Sequence, residues 1–162
     1  MLNKNIFNFL FIFLIFVIDR ITKIIIIKLS EPTGELIISV NSFLNLNLIW
    51  NDGIAFGLFS FKEDMLYNLL TFIILIIILI LIRLMLRSKN LEKLGFSMVI
   101  GGAIGNLFDR IYYSAVPDFI DIYMNNFHWF IFNVADIFIT IGVILLIILE
   151  IFSKKESWNF YF

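Results

Sequence analysis

The chain has 162 residues, 61% hydrophobic and 15% charged, with 20 Phe and a formal net charge of -1. A soluble domain holds roughly 45–50% apolar residues, so this composition describes an integral membrane protein, read as a single domain over 1–162. The lack of any basic block excludes nucleic acid as a partner. With no Cys and one His, disulfides, thiolate metal sites, cysteine nucleophiles and a histidine zinc cluster are also excluded.

Residues 6–18 have the apolar core of a signal peptide, but no small-residue cleavage site follows. Asp19 and Arg20 come next, and apolar character resumes at 24–27, so a membrane helix is expected over about 6–28. Residues 29–64 differ in kind. Turn signals stand at Pro32-Thr33-Gly34 and Asn51-Asp52-Gly53, and between them ELIISV and FLNLNLIW have the β-branched, partly alternating character of short strands. A small sheet at the membrane surface is expected, with Trp50 as an interface anchor. Residues 65–86 form the clearest span, with Arg83 snorkelling to one end. A polar hairpin at 87–93 leads to a span over about 94–112, a loop over 113–131 and a last span over about 132–152. Lys4, Arg87, Lys89, Lys93, Lys154 and Lys155 fall on one side of this layout, which places both termini in the cytoplasm. The fold class expected is a mostly α four-helix membrane bundle with a small outer sheet.

Polar groups concentrate between Gly101 and Asp136: Asn106, Asp109, Arg110, Asp118, Asn133 and Asp136. Ionisable residues in or beside membrane segments mark functional sites by default. Gly101 and Gly105 have the small-xxx-small spacing of close helix packing. Asn106, Asp109 and Arg110 share one helix face, and Asp109 can form a structural ion pair with Arg110 or with another helix. Asp118 and Asp136 lie near the same outer boundary. Spacing leaves two readings open for them: a pair of carboxylates sharing one proton, as in aspartic peptidases, or a helix start charged by Asp136. Asp19, Arg20 and Lys23 read as an interfacial cluster whose cations snorkel, although Asp19 is costly there. Asn51 can cap the turn at Gly53. His128 beside Trp129 reads as an interface pair without chemistry, and no G-x-S-G stretch supports a serine peptidase.

The blocks DRITK at 19–23, NDGIAF at 51–56, GGAIGNLFDR at 101–110, VPDF at 116–119 and FNVAD at 132–136 resemble the lipoprotein signal peptidase (signal peptidase II) family, in its order and over nearly the whole chain. The resemblance implies an aspartyl endopeptidase of the bacterial inner membrane, with its active site near the periplasmic face. Such an enzyme takes diacylglyceryl prolipoproteins as substrates and cuts on the amino side of the lipidated cysteine. By motif, Asp118 and Asp136 are the catalytic pair. Asn51, Gly53, Asn106, Asp109, Arg110, Asn133 and Ala135 line or brace the substrate groove, and Asp19 and Lys23 brace the first helix. The strands at about 29–64 match the family's periplasmic cradle. The resemblance implies no metal and no cofactor; membrane lipid is expected as a partner, and because one bundle holds all the motifs a monomer suffices. It departs at Pro117, where relatives commonly carry an aliphatic residue. Proline fixes φ and removes an N–H, so the loop before Asp118 is expected to differ. Two other classes compete: a small transporter or proton-channel subunit, disfavoured by the absence of repeats and by polar groups crowded at one boundary, and a packing subunit, which needs no outer cluster of Asp and Asn.

Overall fold

The computed structural model describes residues 4–31, 36–53, 64–124 and 127–158. The expected turn at Pro32-Thr33-Gly34 lies outside them. Four helices, α1 (Lys4–Ser30), α2 (Asp64–Arg87), α3 (Asn90–Tyr113) and α4 (Val134–Trp158), accompany four strands, β1 (Ile37–Asn41), β2 (Leu44–Asn51), β3 (Val116–Met124) and β4 (Phe127–Phe132). By length and composition, Met65–Arg87 and Val134–Phe152 are able to cross a membrane.

The helices are apolar outside and carry their polar residues inside. In α1 the buried positions are Asn8, Ile12, Ile15, Asp19 with its neighbour Arg20, Lys23, Ile26 and Ser30, while Phe7, Phe13, Leu14, Ile21 and Ile25 are exposed. The buried set recurs every three or four residues and so forms a single stripe. An outer surface of Phe, Ile and Leu is stable where the surrounding medium is lipid.

Helix α3 is the hub, packed against α1, α2 and α4. Its glycines make that possible. A Cβ on Gly101 would stand 2.9 Å from the Ile15 Cβ of α1, and one on Gly105 would stand 2.5 Å from the Asp19 carboxylate. On the other side, Gly102 lies against the Ala135 carbonyl oxygen, and Gly142 of α4 lies against the Gly95 carbonyl. The expected close approach is therefore present, and two helices share it. Gly102→Ala drives a methyl into backbone that cannot turn aside. The variant should lose about 1–3 kcal/mol, more than the roughly 1 kcal/mol that Ala gains over Gly by helix propensity. A denaturation midpoint in detergent at or above that of the wild type contradicts this.

The strands form one antiparallel sheet in the order β1-β2-β3-β4. It closes over one end of the bundle, where Ile26, Leu36 and Phe119 form a small core with Leu46, Leu48, Ile120 and Val134. The β1–β2 hairpin matches the strands read from ELIISV and FLNLNLIW. The expected loop over 113–131 is instead mostly β3 and β4. Its alternation was masked because Asp118 and Asp121 are buried in it, at 4% and 1% exposure, and a buried acid breaks the hydrophobic period that marks a strand. Pro117 pairs with Trp50 of β2 at the start of β3, beyond the reach of β4, whose pairing ends at Ile120↔Phe132. A missing N–H is tolerated at that position. Helix α3 begins at Asn90 and leaves only Ser88 and Lys89 of the expected polar hairpin between helices. Glu92 and Lys93 are good helix formers on an exposed first turn.

Candidate active site

The sheet and α4 meet at Asn133, the residue between β4 and α4. Its side-chain oxygen accepts the Asp136 backbone N–H at 3.1 Å, and the Asp136 Oδ2 accepts the Asn133 N–H at 3.1 Å. This reciprocal pair is a capping box, with Asn and Asp in place of Ser and Glu. The Asn133 amide nitrogen donates to Asp118 Oδ1 at 2.6 Å. One fully buried amide therefore contacts both acidic residues. The helix-start reading of Asp136 is met by Oδ2, which caps the helix, while Oδ1 accepts from the Asn106 amide at 2.8 Å.

Asp118 is held from its other side. Asn51 donates to its Oδ2 at 2.9 Å, while the Asn51 oxygen accepts the Gly53 N–H at 3.0 Å. The expected turn cap is thus also a ligand of the carboxylate. Register explains the encounter: Asn51 pairs with Val116 and Ile49 with Asp118, which brings the end of β2 beside the acid. Arg110 donates to the Gly53 carbonyl at 3.0 Å and to the Asn106 carbonyl at 3.3 Å, tying the turn to α3.

Behind the pair lies a buried charge cluster. Lys23 Nζ is 2.9 Å from Asp19 and 2.6 Å from Asp109, and it donates to the Asn106 oxygen at 2.8 Å. Arg20 pairs with Asp109 at 2.6 Å and lies over the Phe108 ring at 4.9 Å. Asp19 accepts the Ala135 N–H at 3.0 Å, so an acid on α1 satisfies an otherwise orphan donor in the first turn of α4. Neither cation snorkels: Lys23 is fully buried and Arg20 is 8% exposed. The partners of Asp109 are on α1, not Arg110, which settles between the two pairings left open.

Burial pushes the Asp118 carboxyl from 3.8 up to about 6. The neighbouring charge of Asp136 pushes the same way, while hydrogen bonds from Asn51 and Asn133 and the positive charge of Lys23 pull back. Between these values the folded chain holds a proton that the unfolded chain has released. Stability on this account is highest below about pH 4, falls as pH rises to about 6 and then levels. At about 1.36 kcal/mol per pH unit the loss is about 3 kcal/mol. The wild-type midpoint minus that of Asp118→Asn should fall across that window; a constant difference contradicts it.

Cavities adjoin both acids. Asp118 lines one of about 380 Å³ with Asn51, Trp50, Trp129 and Phe130 on the sheet side. Asp136 lines an apolar groove of about 570 Å³ between α2, α3 and α4, together with Asn106, Arg110, Ile74 and Val143. Asn51, Asn106, Arg110 and Asn133 gather around the two acids. Asp19, Lys23, Asp109 and Ala135 form the layer behind and do not line these cavities. The sequence reading missed the burial of Arg20 and the pair Asp121–His128, in which the imidazole Nδ1 is 3.0 Å from both carboxylate oxygens and the ring stacks on Tyr123 at 5.3 Å. His128 therefore packs on β3 through Asp121 and Tyr123; a recognised β3–β4 hairpin would have revealed it.

A family model described as Signal peptidase (SPase) II matches residues 11–152. The lipoprotein signal peptidase of Pelagibacter ubique (strain HTCC1062) is 50% identical over 157 residues, covering 96% of this chain and 95% of that protein. Its counterparts in Anaplasma phagocytophilum (strain HZ) and Sulfurihydrogenibium sp. (strain YO3AOP1) are 35% and 38% identical, each over 96% of this chain and 98% of theirs. A bacterial membrane enzyme solved by the in meso method at 2.3 Å superposes with a TM-score of 0.79 at 29% identity, over 92% of this chain and 90% of that one. The resemblance carried by the five sequence blocks, the match across nearly the whole chain and the shared fold agree: the chain belongs to the signal peptidase II family of membrane proteases.

Proposed function

We propose that the chain is an aspartic endopeptidase of the bacterial inner membrane that removes signal peptides from diacylglyceryl prolipoproteins, cutting on the amino side of the lipidated cysteine. The observation that carries this reading is the junction at Asn133. Two acids from separate elements, β3 and α4, are held by one buried residue, whose side-chain amide donates to the Asp118 carboxylate and whose backbone N–H donates to that of Asp136, and each acid lines a cavity.

In this reading Asp118 holds the proton of the pair, and Asp136 is the base. Asp136 takes a proton from water while the hydroxide so formed attacks the scissile carbonyl carbon, and Asp118 donates its proton to the carbonyl oxygen. The tetrahedral intermediate then collapses. Its hydroxyl returns a proton to Asp118, the C–N bond breaks, and Asp136 delivers its proton to the departing nitrogen. The pair ends with the one proton it began with.

The groove between α2 and α4 is apolar along Leu70, Ile73, Ile77, Val143 and Ile144, which suits the hydrophobic segment of a signal peptide entering from the bilayer. In this reading all four helices span the membrane, both termini are cytoplasmic, the sheet lies on the periplasmic face, and one copy holds the complete site. Purified chain mixed with a diacylated precursor should release the signal peptide, seen as a gel shift, and should leave the unlipidated precursor uncut. No shift with the diacylated precursor, or equal cleavage of both, overturns the proposal.

A further inference from the structure

At the end of the bundle opposite the sheet, a cavity of about 730 Å³ opens between the start of α1 and the α2–α3 turn. Phe7, Leu91 and Leu94 form its apolar wall, and Asn8, Ser88, Lys89, Asn90 and Lys93 form its polar side. Phe7 and Leu91 are 63% and 55% exposed and continue the apolar belt of the helices. Lys93 donates to Asn5 at 2.8 Å and retains two further N–H donors. Among the described residues Lys89 has no ion pair or side-chain hydrogen bond. Glu92 faces the neighbouring cavity with Arg87 and Lys89, not this one.

A cavity with two cations on one side and an apolar wall continuous with the lipid-facing surface is complementary to one class of molecule. We infer that this cavity binds an anionic phospholipid, with its phosphate between Lys89 and Lys93 and the start of an acyl chain against Phe7, Leu91 and Leu94. Basic pockets between helices at a membrane surface hold acidic headgroups in this way. The α3 N-terminus adds to the attraction: it has no side-chain cap, and its first-turn N–H groups favour negative charge. The site is separate from the acidic pair. It makes the stability of the bundle, in which α1 and α3 hold the charge cluster, depend on lipid composition.

The test uses full-length protein in detergent, with phosphatidylglycerol or phosphatidylcholine added and bound lipid counted by native mass spectrometry. Phosphatidylglycerol should be retained over phosphatidylcholine, and inorganic phosphate should not displace it. Lys89→Gln should weaken retention about fivefold, the effect of one lysine near an acidic surface, and Lys89→Gln/Lys93→Gln by more. Since Lys93 also ties α3 to Asn5, Leu91→Trp serves as a second variant: it blocks the apolar wall, leaves both charges, and should lower retention as well. Equal retention of the two lipids, displacement by free phosphate, or unchanged retention in both Lys89→Gln and Leu91→Trp overturns the inference.

Discussion

Asp118→Asn and Asp136→Asn should each lower turnover of a diacylated precursor by about 10²–10⁴-fold, the share that a positioned acid or base contributes, while the protein remains folded. Asparagine keeps the shape and removes the proton chemistry. At position 118 it faces two amide donors, Asn51 and Asn133, and can satisfy only one with its single oxygen. The expected stability cost is about 1 kcal/mol at acid pH, and above about pH 6 it is offset because the neutral side chain has no buried charge to accommodate. Kinetics on the lipidated precursor, read beside the denaturation midpoint of the same preparation, separate the two effects. Turnover within tenfold of wild type in either variant removes that acid from the mechanism. Asp109→Asn is the control. Asp109 is fully buried against Lys23 and Arg20 and does not line the cavities, so its loss should act through stability and leave residual activity.

Lys23→Met should be the most destabilising single substitution, at about 3–5 kcal/mol. The ammonium serves two fully buried carboxylates and the Asn106 amide. Its removal leaves Asp19 and Asp109 with Arg20 as their one remaining cation in the cluster. Damage spreads from there, because Asp19 holds the Ala135 N–H at the start of α4 and Asn106 holds Asp136. Pairing the change with Asp109→Leu removes one charge of each sign, and buried ion pairs are often replaced by apolar residues at little cost. The double variant should therefore be more stable than the sum of its two single variants. Additive losses, measured as denaturation midpoints, show that Lys23 and Asp109 are not coupled.

Sequence legibility followed the physical reach of each signal. Long apolar runs are local, so α1 and α2 were read within two residues of their bounds, β1 and β2 almost as closely, and the start of α4 likewise, while α4 continues past the apolar run to Trp158. The glycines of α3 were legible as packing positions because small-residue spacing is also a local pattern. Strands β3 and β4 were not: Asp118, Asp121 and His128 interrupt the alternation, and the burial of Asp118 depends on partners outside its own strand, Asn51 and Asn133. The depth of Lys23 was missed for the same reason. A lysine near a helix end snorkels unless another helix offers it a carboxylate, and Asp109 lies on α3.

The sequence by itself determined the family, a bundle that is apolar outward, and the identity of the polar residues gathered between Gly101 and Asp136, because composition and motif order need no coordinates. Tertiary structure alone decided how those residues, together with Asp19, Lys23 and Asn51, divide. Asn51, Asn106, Arg110 and Asn133 surround Asp118 and Asp136, while Asp19, Lys23, Asp109 and Ala135 lie behind them. That division depends on which side chain meets which across three helices and a sheet. Asn133 shows the limit most clearly: its neighbour in FNVAD, Asp136, is three residues away, and the other acid that it contacts is on a strand that the local pattern conceals.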